Sequence, residues 1–120
     1  MFQVRTENGF PEITAEDLAA AMKRPDWKNQ GVQLIDVRRP DEYVGEYGHI
    51  EGAELVTLGP DLQARIDSGN PGEKIVFICR SGARSGQATQ YAVQNGYKEV
   101  YNMQGGMLRW TELKFPATKT

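Results

Sequence analysis

At 120 residues, with 39% apolar and 25% charged side chains, the chain fits one soluble globular domain with a single core. Its formal charge of −2 offers no basic field for nucleic acid, and no apolar run approaches the ~20 residues that cross a bilayer. One cysteine and one histidine, Cys79 and His49, exclude an intrachain disulfide and a common Cys/His zinc site; the N-terminus lacks an apolar signal core, so the chain is read as cytoplasmic.

Strand-like and helix-like pieces alternate, which argues for an α/β fold with a largely parallel sheet. The domain is expected to span 1–120, with a core over about 12–114 and a frayed tail after Pro116. Thr14 is placed to N-cap the first helix, with Asp17 at its third position and Ile13 stapled onto Leu18. Leu18, Ala21 and Met22 share a face, and Pro25 ends the pattern. Residues 32–37 read as a buried strand, 40–44 as a short helix opened by Pro40, and 48–53 as a turn leading to a short strand at 54–56. A helix is expected over 61–66 and a strand over 74–78. The next helix runs from Arg84 or Ser85 to Asn95, with Ala88, Tyr91 and Ala92 buried and Gly96 as its left-handed cap. A strand at 99–103 and a last helix through Leu108 and Trp110 complete the chain.

The segment Cys79-Arg80-Ser81-Gly82-Ala83-Arg84-Ser85 lies between the fourth strand and its helix. Ligands in open α/β sheets bind beyond the carboxyl ends of strands, where helix N–H groups and the helix dipole favour an anion. Arg80 and Arg84 add positive charge, and Gly82 permits the left-handed turn that wraps backbone N–H groups around one centre. Such surroundings hold a cysteine as its nucleophilic thiolate. A lone cysteine at a strand end is most often an inert small hydrophobe; two arginines and a glycine within five residues argue otherwise. Cysteine phosphatases space the cysteine and arginine as C-x5-R. Here Arg84 gives C-x4-R and Ser85 stands at the longer spacing, a tighter ring suited to one added sulfur atom.

With Leu34-Ile35-Asp36-Val37-Arg38, Glu42-Tyr43, Gly48-His49-Ile50-Glu51-Gly52-Ala53, the cysteine loop, Gly96-Tyr97 and Gly105-Gly106 before Trp110, the chain resembles the single-domain rhodaneses over nearly its whole length. The resemblance implies a central, mainly parallel five-stranded sheet with helices on both faces. It also implies ping-pong sulfur transfer from a small donor, thiosulfate or a persulfide, through a Cys79 persulfide. The acceptor is cyanide or an external thiol such as glutathione or thioredoxin, since no second cysteine offers an internal exit. No cofactor and no metal take part, and a monomer is expected. The loop amides from Ser81 to Ser85 are expected to hold the outer sulfur, with Arg80 and Arg84 attracting the donor. Ser81 and Ala83 side chains are free to tune the acceptor.

Asp36 and Arg38 are candidates for the pocket mouth, Asp36 also for orienting a loop arginine. The plainer alternative is a structural ion pair such as Arg38 with Glu42. His49 reads as a turn element rather than a base, and Trp110 and Tyr43 as core residues. The competing functions are a phosphatase or arsenate reductase, and a rhodanese-like module that only binds a partner.

Overall fold

The computed structural model describes all 120 residues. Five strands, β1 (Glu12–Thr14), β2 (Val32–Asp36), β3 (Glu54–Leu55), β4 (Lys74–Ile78) and β5 (Glu99–Gln104), form one parallel sheet in the order β1-β5-β4-β2-β3. The strand that delivers Cys79 is therefore central and covered on both faces, which is why it reads as an unbroken apolar run. Strand alternation divides its neighbours between two cores. Leu34, Val76 and Ile78 pack on one face with Leu18 of α1 (Ala15–Met22) and with Met107 and Trp110 of α5 (Gly106–Glu112). Ile35, Ile75 and Phe77 pack on the other with Leu62 and Ile66 of α3 (Pro60–Ser68) and Ala88 and Ala92 of α4 (Ala83–Gln94). The short α2 (Pro40–Tyr43) follows β2.

The first helix is capped as its sequence requires: the Asp17 N–H donates to Thr14 Oγ1 at 3.0 Å. Two elements had no periodicity to announce them, the three-residue edge strand β1 and the single 3-10 turn Trp27–Gln30. The tail after Pro116 is paired with the turn at His49. Thr118 exchanges two backbone hydrogen bonds with His49, both 2.8 Å, and Trp110 Nε1 donates to the Pro116 carbonyl at 2.9 Å. Tyr91 and Tyr43 are only half-buried; the first donates its hydroxyl to Asp67, and the second stacks on His49. No helix is long and apolar enough to cross a membrane.

Chain direction across the sheet reverses between β2 and β4: the path from β2 leads outward to β3, and that from β4 leads the opposite way to β5. The crevice beyond the carboxyl ends of these two strands is where such sheets bind ligands. Cys79 and Arg38 flank it.

Candidate active site

The loop after β4 is clamped from behind by α5. The Met107 and Leu108 N–H groups donate to the Cys79 and Arg80 carbonyls at 2.8 and 3.0 Å. A side chain at Gly106 would place its Cβ 2.5 Å from the Cys79 carbonyl oxygen, so only glycine allows this approach. Gly82 adopts φ +106°, turns the chain into α4, and points its N–H at Cys79 Sγ, 3.0 Å away. The N–H groups of Ser81, Ala83, Arg84 and Ser85 donate to no acceptor within the protein. They leave a set of oriented dipoles at the start of α4 for an anion.

Cys79 is 1% exposed. Ser85 Oγ lies 3.1 Å from its sulfur and also contacts Asn102 Oδ1. Ser85 thus contributes a side chain as well as backbone. Sequence reasoning missed Asn102, a buried polar residue on the same side of β5 as Val100 and between the apolar Tyr101 and Met103; that polar residue in the strand's middle is its signal.

The two loop arginines are not equivalent. Arg84 is bound bidentately by Glu42 of α2, at 2.7 and 2.8 Å, so its charge is already matched. Arg80 has no carboxylate partner, and its guanidinium sits 5.7 Å from the centre of the Tyr47 ring. Arg80 is therefore the uncompensated cation of an open cleft of about 480 Å³ lined also by Arg38, Glu42, Tyr47 and Arg84.

Asp36 and Arg38 pair with each other. Arg38 donates from Nε and Nη2 to the two Asp36 oxygens at 2.9 and 2.7 Å, and to the Gly48 carbonyl at 2.6 Å. Arg38 does not pair with Glu42, and Asp36 orients no loop arginine. Arg38 reaches the floor of the cleft, whereas Asp36 is fully buried beneath it. His49 donates its Nδ1–H to the Tyr43 carbonyl at 2.8 Å and stacks on the Tyr43 ring with centroids 3.5 Å apart. These contacts tie a turn together. No group of three or more His, Cys, Asp or Glu side chains converges on a metal position.

The Arg84 guanidinium holds the Glu42 carboxyl at about 2, down from an ordinary 4.5, and Arg65 does the same for Glu73 at the far end of the sheet. A carboxyl depressed on folding stabilises the fold above its unfolded value and ceases to as it protonates. Stability should therefore fall as pH drops from 4.5 towards about 2. Urea midpoints measured across that window should fall steeply in the wild type and more gently in a Glu42→Gln, Glu73→Gln double variant.

The rhodanese-like domain family model matches residues 14–113. Thiosulfate sulfurtransferase 18 of Arabidopsis thaliana is 38% identical, covering 72% of this chain and 71% of that protein. A sulfurtransferase of Allochromatium vinosum is 32% identical, covering 88% of this chain and 92% of that one. A rhodanese-related protein from Thermoplasma volcanium shares the fold at a TM-score of 0.75, with 24% identity over 91% of this chain and 98% of that one.

Proposed function

The chain belongs to the rhodanese-like domain family, and from that premise we propose that it is a sulfurtransferase carrying sulfane sulfur on Cys79. The observation that supports this reading is a single thiol with one amide at 3.0 Å, four unengaged N–H groups in the same loop, and Arg80 beside it.

In the first half-reaction the Cys79 thiolate attacks the outer sulfur of the donor, thiosulfate or a low-molecular-weight persulfide. A new S–S bond forms. The donor's S–S bond breaks, and its electron pair leaves on sulfite or on the donor thiolate. Negative charge arrives on the outer sulfur of the Cys79 persulfide, where the loop dipoles replace lost solvation. In the second half-reaction the thiolate of an external acceptor, such as glutathione or thioredoxin, attacks that sulfur, and Cys79 leaves as thiolate. Sulfur changes hands without net oxidation, so neither half-reaction needs a metal or organic cofactor. The sequence spacing C-x4-R supports sulfur over phosphate, because the loop is one residue shorter than a phosphatase loop.

Steady-state rates with thiosulfate and a thiol should give parallel double-reciprocal lines, the pattern of a covalent intermediate. Arg80→Ala should raise the KM for thiosulfate about fivefold with little change in kcat, the loss of one charge-assisted contact at a part-exposed site. Hydrolysis of a phenyl phosphate ester without sulfur transfer would contradict the proposal.

A further inference from the structure

The Arg80 backbone is fixed, because its carbonyl accepts from the Leu108 N–H at 3.0 Å. Its side chain is exposed, and the guanidinium makes no hydrogen bond and no ion pair within the protein. What it meets is the face of the Tyr47 ring, with 5.7 Å between the guanidinium carbon and the ring centre. Tyr47 is anchored where Arg80 is not. It lies in the turn between α2 and His49, where the Gly48 N–H donates to the Gly45 carbonyl at 3.0 Å and the Gly48 carbonyl accepts from buried Arg38 at 2.6 Å. Its ring is half-buried and packs on the core that contains Ile50, Met107 and Trp110.

The same cleft is lined by three carboxylates, Asp41, Glu42 and Glu46. Arg39 takes Asp41 and Arg84 takes Glu42, while Glu46 is exposed and unpaired. A carboxylate that held Arg80 would cancel its charge. A π face holds a guanidinium through the ring quadrupole and leaves the full charge for a ligand. We propose that Tyr47 is a positioning residue: it keeps the Arg80 guanidinium over the cleft and clear of these carboxylates, unmatched and ready for an anionic sulfur donor. Tyr47 touches no reacting atom and acts only through Arg80. The inference deepens the proposed sulfur transfer and rests on it.

Two measurements at low ionic strength, where such a charge is least screened, test it. The first is steady-state turnover of thiosulfate. Tyr47→Leu should raise the KM about threefold with little change in kcat, the worth of one cation–π contact at an exposed site. Tyr47→Met, which refills the space without a π face, should do the same, and the conservative Tyr47→Phe should restore the wild-type KM. On an Arg80→Ala background Tyr47→Leu should add nothing. The second uses no sulfur donor. Cys79 is the only cysteine, so alkylation reports on it alone. The ratio of its rates with anionic iodoacetate and neutral iodoacetamide measures the positive charge at the cleft, because the reactivity of the sulfur itself divides out. That ratio should fall about threefold in Tyr47→Leu and hold in Tyr47→Phe.

A KM and a ratio both unmoved in Tyr47→Leu and Tyr47→Met would overturn the proposal. So would an equal shift in Tyr47→Phe, or a Tyr47→Leu shift that persists without Arg80. A fall in kcat at constant KM and ratio would assign Tyr47 to the fold of the turn and equally overturn it. A wild type that takes no sulfur from thiosulfate would count against the sulfurtransferase reading, and the alkylation ratio would still decide the role of Tyr47.

Discussion

Arg38→Met is expected to lower the free energy of unfolding by about 3–5 kcal/mol, among the largest effects any single side chain here can have. Arg38 and Asp36 are 1% and 0% exposed, and the guanidinium meets both carboxylate oxygens and the Gly48 carbonyl. Removing the arginine leaves a carboxylate in the core with neither water nor a counter-charge. It also frees the Gly48 turn, whose neighbour His49 pairs with the C-terminal tail at Thr118. Urea unfolding at neutral pH measures the loss. Replacing both members, Asp36→Leu with Arg38→Met, should recover much of it, because an apolar pair has no desolvation penalty. A single variant within about 1 kcal/mol of the wild type would mean that the pair is solvated and not the buried lock described here.

Gly106→Ala is the second large effect, and it strikes stability and chemistry together. Gly106 holds φ +57°, and its new Cβ would meet the Cys79 carbonyl oxygen at 2.5 Å and the neighbouring backbone of Arg80. These are main-chain atoms of a loop fastened to α5 by the Met107 and Leu108 N–H groups, so the clash cannot relax by rotating a side chain. A cost of about 3 kcal/mol or more follows from strain and lost hydrogen bonds, or on the order of 10 °C in Tm. The loop must move to accommodate the methyl group, which separates the Gly82 N–H from Cys79 Sγ. Thermal unfolding and sulfurtransferase turnover should fall in parallel. Gly96→Ala is the control: its φ is also positive, at +90°, but a Cβ there meets nothing within 4 Å. It should be milder in stability and leave turnover intact.

The parts of this molecule written in local pattern were legible from sequence. The apolar run at Lys74–Ile78 had to be a covered strand, Thr14 had to cap α1, and Gly82 marked the turn whose own N–H points at Cys79. Pairings between distant segments were not. Arg84 finds Glu42 across 42 positions, and Glu12 finds Asn102 across 90, because the parallel sheet brings α2 beside α4 and β1 beside β5. Arg38 had Asp36, Asp41 and Glu42 in sequence reach. The i, i+4 rule pointed to Glu42, but Arg38 lies at a bend between β2 and α2, not in a helix, and its guanidinium turns to Asp36 two residues back. The tail looked free because nothing in its own sequence foretells the His49 backbone it pairs with.

The central claim is that Cys79 carries sulfur. Incubation of the folded protein with thiosulfate or a low-molecular-weight persulfide, followed by intact mass measurement, tests it most directly. The wild type should gain about one sulfur atom's mass, lost on adding dithiothreitol, and Cys79→Ser should gain none. A folded wild-type protein that stays unmodified by either donor would contradict it.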